Sequence, residues 1–290
     1  MNDWLVNRAE ARAVALETTL LCHGVPRGEA ASLGLRLEAT IRATGATPAL
    51  IGVLHGRAIA GMTVEELGEL VEADPPKLNT SNLGLALDLA SGRGATTVSA
   101  TIEIAASAGI RVFATGGLGG VHKGGIDVSS DLAALTRHPV AVVCSGVKSI
   151  LDVVATRELL ETLGVPVVGY RTDAFPAFYT RESGCGVDAR FDDGTALGAF
   201  VGREIRRTGR GVVIANPIHE NAAVDGDELS GWISTAEGEA DERSIRGRAR
   251  TPYVLERLHT LSSGATLRAN IALVLANAEV GGALARSLDQ

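Results

Sequence analysis

The chain has little of what marks a secreted, membrane-spanning or nucleic-acid-binding protein. Of its 290 residues, 3% are aromatic and three are cysteines. Cys22, Cys144 and Cys185 show no CxxC spacing, which predicts free thiols in a reducing compartment. The 27 Lys and Arg residues are outnumbered by 34 Asp and Glu residues, and the net charge of −7 argues against nucleic acid as a partner. A small anionic ligand remains compatible with that charge, because a local cluster of cations can oppose the overall sign.

Targeting and membrane signals are equally scarce. The N-terminal sequence MNDWLVNRAEAR is too charged for a signal peptide. We find no uninterrupted run of about 18 apolar residues, so no membrane span is expected. These features predict a cytoplasmic protein. Because aromatic residues are scarce, its core is expected to consist mainly of Ala, Val, Leu and Ile.

Short apolar runs alternate along the chain with segments of helical periodicity. The predicted strands are 13–21, 47–54, 111–114, 140–144, 165–169 and 211–215, and the predicted helices are 27–44, 63–71, 82–90, 97–107 and 266–287. Thr63 and Glu66 have the spacing of a capping box. The charge-rich segment 237–250 is interpreted as a solvated helix end or loop. The alternation predicts an α/β fold with helices on both faces of the sheet, in one domain over residues 1–290.

The segment 113–132, FATGGLGGVHKGGIDVSSDL, is the most informative part of the chain. Six glycines fall within ten residues, and glycine in a regular element costs about 0.5–1 kcal/mol relative to alanine. Such density usually allows backbone N–H groups to approach an anion without side chains in the way. The segment is not a P-loop, because no Gly-Lys-Ser/Thr closes it, and His122 stands where a GxGxxG fingerprint needs its third glycine. Together with the polar residues that follow, it predicts an active site.

Two ionisable residues accompany predicted buried strands. Glu17 lies within an apolar strand, where burial would raise its pKa toward that of a general acid, unless it faces solvent at the strand end. Lys148 follows the strand 140–144 at its carboxyl end, where α/β folds bind ligands. A lysine among apolar walls can lose its proton and form a Schiff base with a carbonyl. The alternative is a lysine near a helix start whose charge reaches water.

Asp127 and Asp131 lie four residues apart in DVSSD. If a helix begins at Ser129 or Ser130, one of the two carboxylates is an N-cap or first-turn acid. Beside the glycine segment, one of them could instead hold a hard divalent cation while the serine hydroxyls bind phosphate or sugar.

With these residues assembled, the chain resembles the pseudouridine-5′-phosphate glycosidase family. The resemblance is carried by ordered segments over about residues 13–285, among them VALETTLLCHG, FATGGLGGVHKG, DVSSDL, VVCSGVKSILD and LRANIALVLANA. It implies an α-β-α layered fold with a mixed, largely parallel sheet, assembled as a homotrimer. It also implies an enzyme that makes or breaks the carbon–carbon bond between ribose 5-phosphate and a base, with a divalent metal, typically manganese.

The resemblance also implies roles for individual residues. Glu17 would be the proton donor, Lys148 the nucleophile, and Asp127 would hold the metal through waters. The implied contacts to substrate are Lys77, Val98, His122, Lys123, Ser129, Ser130, Asp131 and, for the base, Asn270. In this chemistry the ribose ring opens and C1′ is trapped on the lysine, and the resulting iminium accepts electrons from the bond to the base.

Three departures from the family pattern bear on the aglycone. The stretch after Lys77 reads LNTSNL and lacks the family's arginine, Lys123 replaces an arginine, and the interval from His122 to Asp127 is short and has no aromatic residue. These departures favour a C-glycosynthase that attaches ribose 5-phosphate to a non-uracil aromatic aglycone, as in natural-product biosynthesis. The alternative is a glycosidase that cleaves pseudouridine 5′-phosphate to uracil and ribose 5-phosphate. A non-catalytic sugar-phosphate-binding protein and an unrelated Schiff-base aldolase explain the residues less well.

Overall fold

The protein is described by a computed structural model over residues 3–125, 127–246 and 250–288. The strands in these residues are β1 (Leu5–Asn7), β2 (Ala13–Glu17), β3 (Thr47–Leu54), β4 (Arg57–Ala60), β5 (Lys77–Leu78), β6 (Gly94–Thr96), β7 (Val112–Ala114), β8 (Ala141–Cys144), β9 (Val167–Tyr170), β10 (Ala189–Phe191) and β11 (Val212–Ala215). They form one sheet in the order β1-β4-β3-β2-β7-β8-β11-β9-β10, with β6 beside β3 and β5 beside β6. Strand β3 is antiparallel to β4 and β6, and the other described pairs are parallel. The predicted mixed, largely parallel sheet is confirmed.

Helices cover both faces of this sheet. They are α1 (Thr19–His23), α2 (Ala30–Ala43), α3 (Val64–Glu72), α4 (Leu83–Asp88), α5 (Val98–Ser107), α6 (Ser130–Arg137), α7 (Val153–Thr162), α8 (Gly194–Thr208), α9 (Gly226–Glu242), α10 (Arg250–Leu261) and α11 (Ala265–Leu288), with short 3₁₀ turns at Arg27–Glu29 and Glu220–Ala222. Helix α11 packs between α2 and α8 and against β2, β7 and β8, while α5 packs on β2, β3 and β4 together with α6. The α-β-α layering is therefore confirmed.

The long helix α11 owes its composition to its place in the core. By length and composition alone it could cross a membrane, although its sequence contains no uninterrupted apolar run of that length. Its contacts with β2, β7 and β8 and with α2, α8 and α10 bury residues such as Leu273, Val274 and Ala278. Packing on a buried sheet face therefore accounts for the apolar composition of α11.

Each strand and helix that was given predicted bounds is present, whereas α7, α8, α9 and α10 had none. One correction has a physical cause. The strand predicted for 13–21 ends at Glu17, because the Thr18 hydroxyl donates to Ile51 O and accepts from Thr96 N, and α1 follows. The segment 237–250, interpreted as a solvated helix end or loop, includes the end of α9, where Glu239 pairs with Arg257 of α10. Residues 247–249 of that segment lie outside the described residues.

Candidate active site

Glu17 is the last residue of β2 and is 8% exposed. Thr115 Oγ1 donates a hydrogen bond to Glu17 Oε1. Burial raises the pKa of Glu17, and the neighbouring charge of Lys148 and the Thr115 hydrogen bond counteract only part of that effect. A raised pKa keeps a carboxyl group protonated toward neutral pH, which suits a general acid. The alternative, in which Glu17 faces solvent at the strand end, is wrong.

Lys148 lies in the turn after β8, and α7 begins only at Val153. Backbone hydrogen bonds fasten this turn to the glycine segment: Lys148 N donates to Leu118 O at 3.1 Å, and Leu118 N donates to Gly146 O at 2.9 Å. Lys148 therefore lies in a turn ahead of α7, and its side chain is half-buried. The side chain lines the same cavity as Glu17, so an acid and an amine face one space.

Lys77, at the start of β5, brings a second amine to this cavity. Burial, and then the positive charge of Lys148, lower the pKa of Lys77 to about 8, while Glu17 acts in the opposite direction. Two ammonium groups in one partly buried space repel each other, which favours loss of a proton from one of them. The cavity therefore holds an amine that is partly neutral under physiological conditions.

The glycines of the segment 113–132 are needed for close packing. A Cβ on Gly119 would lie 2.4 Å from Ser129 Oγ, and one on Gly120 would lie 2.3 Å from Thr156 Oγ1. Such separations are shorter than van der Waals contact, so a side chain at either position would displace its neighbour. The loop can approach these hydroxyl groups because its glycines carry no Cβ.

The backbone amides of this segment largely have partners within the chain. Gly119 N donates to Asp131 Oδ2 at 2.8 Å, and Val121 N donates to Thr156 Oγ1 at 2.9 Å. The amides of Leu118 and His122 donate to carbonyl oxygens. The interpretation of the segment as an open cradle of N–H groups is wrong for these four amides, because they are already hydrogen-bonded.

The segment Ser129–Asp131 forms the wall beside the glycines. Ser129 is the N-cap of α6, and its hydroxyl accepts from Asp131 N at 3.3 Å. Asp131 is 4% exposed, and its Oδ1 accepts from Ser99 N at 2.9 Å. Because Gly119 N occupies the other oxygen, the Asp131 carboxylate ties the loop to α5 and is a first-turn acid of α6. The Ser130 and Ser99 hydroxyl groups lie 2.9 Å apart.

Among the described carboxylates that line this cavity, Glu17 and Asp131 are buried and Asp127 is exposed. Its side chain is 65% exposed and lines the cavity, with Oδ2 3.7 Å from His122 Nε2. No cluster of three or more His, Cys, Asp or Glu side chains placed to hold a metal occurs in residues 3–125, 127–246 and 250–288. Since Asp131 is engaged by two amides, the residues fit a cation held by one carboxylate with waters, as for a hydrated Mg²⁺-like ion.

One cavity of about 460 Å³ at the carboxyl edge of the sheet brings most of the predicted site together. Its lining includes Glu17, Lys77, Val98, His122, Asp127, Ser129, Ser130, Asp131 and Lys148. Ligand sites in α/β sheets are expected at this edge.

Lys123 and Asn270 are not part of the lining of this cavity. Lys123 Nζ lies 3.5 Å from Glu237 Oε1 on α9, beside a separate cavity. Asn270 is 5% exposed on α11, and its Nδ2 donates to Gly24 O at 3.4 Å. Its buried Oδ1 has no hydrogen-bond partner among the residues that the structure describes, so this oxygen is open to a donor.

Several site residues carry no signal that the sequence alone could reveal. Thr115 contacts the carboxyl of Glu17 but is a single threonine before the glycines. Thr19, Asn79 and Ser81 line the cavity from segments with no recognisable motif. These small polar residues are common in turns, so their types alone do not distinguish a binding role.

A buried carboxyl group of raised pKa and two amines thus face one cavity at the strand ends, a combination that can form a Schiff base with a carbonyl compound. A family model described as "Indigoidine synthase A like protein" matches residues 6–287. The chain belongs to this family.

Its relatives include proteins named pseudouridine-5′-phosphate glycosidase. The chain is 46% identical to the one from Jannaschia sp. (strain CCS1), over 97% of this chain and 96% of the relative. It is also 46% identical to that of Symbiobacterium thermophilum, over 95% of this chain and 92% of the relative.

Two solved structures share the fold. An indigoidine synthase A-like protein from Thermotoga maritima is 36% identical, with a TM-score of 0.92 over 99% of this chain and 97% of the other. The prealnumycin C-glycosynthase AlnA, solved with ribulose 5-phosphate, is 35% identical, with a TM-score of 0.89 over 99% of this chain and 98% of the other.

Proposed function

We propose that this chain cleaves pseudouridine 5′-phosphate to uracil and ribose 5-phosphate, and catalyses the reverse reaction. The observation that carries the proposal is the presence of Glu17 and Lys148 in one cavity, with the pKa of Glu17 raised by burial. The names of the relatives support uracil as the base. They favour this alternative over the synthase that the sequence departures suggested.

In the cleavage direction, Glu17 gives its proton to the ring oxygen as the C1′–O4′ bond breaks. Nζ of Lys148 forms a bond to C1′ with its lone pair and passes a proton to the Glu17 carboxylate. The C1′–C5 bond then breaks: the nitrogen lone pair forms the protonated imine, and the base carbon takes the bonding pair and the proton that Glu17 holds. Water hydrolyses the imine to ribose 5-phosphate and the free amine, so the net reaction consumes one water.

The remaining residues of the cavity are proposed to bind the sugar phosphate. Lys77 supplies a cation when protonated, and Ser129 and Ser130 supply hydroxyl donors near it. Val98 would contact the sugar. Asn270 lies outside the lining of this cavity, and its buried Oδ1 is proposed to accept from an N–H group of the base. Ribose without the phosphate should react more slowly, because each cavity donor left unpaired costs about 1–3 kcal/mol.

We also propose a divalent cation, most suitably Mn²⁺, held by Asp127 through waters. When bound, such an ion stabilises negative charge on substrate oxygens. Chelation should abolish turnover while the thermal unfolding temperature changes little, since one carboxylate makes a weak site. Asp127→Asn should raise the Mn²⁺ concentration required for half-maximal activity. Full activity of the chelated protein would contradict the assignment.

A homotrimer is proposed from the family resemblance. Light scattering should give a mass of about three times 29.9 kDa. A mass of 29.9 kDa across the assay concentrations would contradict it.

A C-glycosynthase that joins ribose 5-phosphate to another aromatic carbon is the second candidate. The similarity to AlnA, named as a prealnumycin C-glycosynthase, favours it. Both candidates use the same lysine and acid. They differ only in the molecule whose carbon is bonded to C1′ of the ribose.

Product analysis separates the two candidates. Purified protein with Mn²⁺ and pseudouridine 5′-phosphate should release uracil, and Lys148→Ala and Glu17→Gln should not. Reverse assays would offer ribose 5-phosphate with uracil or with an electron-rich polycyclic phenol. Cleavage at a typical enzymatic rate, on the order of 10 per second, supports the glycosidase. If product forms with the phenol and not with uracil, the result supports the C-glycosynthase instead.

A further inference from the structure

Asn277 is a fully buried polar residue in the middle of the apolar helix α11. It is 0% exposed and is not part of the lining of the active-site cavity. A buried polar side chain destabilises the folded protein unless its donors and acceptors are hydrogen-bonded. It therefore matters which groups Asn277 contacts.

Its amide contacts the chain just beyond three neighbouring strands. Asn277 Nδ2 donates to Thr115 O at 2.8 Å and to Ser145 Oγ at 3.1 Å, and Asn277 Oδ1 accepts from Asn216 Nδ2 at 2.9 Å. Thr115, Ser145 and Asn216 directly follow β7, β8 and β11, which are adjacent and parallel. One side chain thus joins the carboxyl ends of three strands.

Two of these contacts lead to the proposed catalytic groups. Thr115 carries the hydroxyl group that donates to Glu17 Oε1. Ser145 begins the turn that carries Lys148, and Ser145 N donates to Gly116 O at 2.9 Å. Asn277 is therefore linked to Glu17 by two buried hydrogen bonds through Thr115, and to Lys148 by one buried hydrogen bond to Ser145 and the turn that follows it. Asn277 itself does not line the cavity.

We propose that Asn277 is a positioning residue that fixes the Glu17 carboxyl and the Lys148 amine relative to each other. The inference rests on the proposed function, because it assumes that these two groups act on one sugar. Attack on C1′ and protonation of the ring oxygen need both groups aligned at once. A misplacement of about 1 Å can cost about 10²-fold in rate.

The test compares Asn277→Ala with Leu284→Ala. Leu284 is a buried aliphatic residue on the same helix without a polar contact to the site, so its variant controls for lost packing. Each protein is assayed well below its melting temperature, for turnover of pseudouridine 5′-phosphate and for borohydride trapping of ribose 5-phosphate on Lys148. Asn277→Ala should lower both kcat and the trapping rate by about 10²-fold with little change in KM, whereas Leu284→Ala should lower the melting temperature and keep kcat.

Two further variants keep the test decisive if Asn277→Ala does not fold. Asn277→Asp keeps the shape and the acceptor for Asn216 but loses the donor to Thr115 O, and it should also lower kcat. Thr115→Val removes the donor to Glu17, and Thr115→Ser should recover part of its loss. The Val variant should also move the Glu17 limb of the pH profile to higher pH, because the lost hydrogen bond had lowered the pKa of Glu17.

The outcomes distinguish the proposed function from the positioning role of Asn277. Wild-type protein that neither turns over nor traps the sugar contradicts the proposed function. Wild-type protein that does both, with folded Asn277→Ala or Asn277→Asp at the wild-type kcat, contradicts the positioning role and leaves Asn277 as a structural residue.

Discussion

Replacing Glu17 by glutamine should remove activity and stabilise the protein at neutral pH. Glutamine keeps the carbonyl oxygen that accepts from Thr115 but cannot ionise. Burial raises the pKa of Glu17 above the value of 4.5 that it has when exposed. The folded protein therefore holds this proton at pH values where the unfolded chain has released it, and the free energy of unfolding falls as pH rises.

The size of this loss of stability depends on the pH interval between the pKa of 4.5 in the unfolded chain and the raised pKa in the folded protein. Below pH 4.5, Glu17 is protonated in both states and contributes no pH dependence. From there to the raised folded pKa, wild-type protein should lose about 1.4 kcal/mol of stability per pH unit from this group, and above it the loss stays constant. Glu17→Gln lacks this loss, so its advantage over wild type should grow over that interval.

Urea unfolding at a series of pH values measures the difference directly. Glu10→Gln, at an exposed glutamate, controls for the removal of one negative charge. The reasoning is refuted if the difference between wild type and Glu17→Gln is independent of pH, or if it decreases as pH rises.

Three further predictions test other parts of the structure. In Lys148→Ala, NMR titration of Lys77 should show its pKa rising from about 8, since the charge of Lys148 helps to lower it; an unchanged value would show that the two amines do not interact. Gly119→Ala should destabilise the protein by about 1–3 kcal/mol in urea unfolding, because its Cβ would lie 2.4 Å from Ser129 Oγ. The control Gly68→Ala should not destabilise it, because no described atom lies within 4 Å of the Cβ that it would add. Thr63→Ala should cost about 1 kcal/mol, because both hydrogen bonds of the capping box are formed, and a change near zero would contradict their contribution.

The sequence predicts the elements that carry a clear pattern. Strand β3 has the predicted bounds because its apolar run is continuous and ends at a turn. Helix α11 differs from the prediction by one residue at each end. Glu17 and Lys148 approach each other because Glu17 ends β2, Lys148 follows β8, and the carboxyl ends of parallel strands lie at one edge. The strand predicted for 13–21 had left Glu17 in mid-strand.

Other features depend on contacts between distant segments and leave no local pattern. The two-residue strand β5, which brings Lys77 to the cavity, is too short for a periodic signal. The glycines predict that this segment packs closely against other groups, but the sequence does not identify those groups. In the structure they are Ser129 and Thr156. Lys123 follows the glycines in sequence, yet its carboxylate partner Glu237 lies far along the chain.

The central claim is that Lys148 forms an imine with ribose 5-phosphate. The chain contains three lysines, Lys77, Lys123 and Lys148, so peptide mapping after borohydride reduction can assign the adduct without ambiguity among them. The account predicts the mass of one reduced sugar phosphate on the peptide with Lys148, and no adduct in Lys148→Ala. An adduct on Lys77 in the wild-type protein, or undiminished labelling of Lys148→Ala, would contradict it.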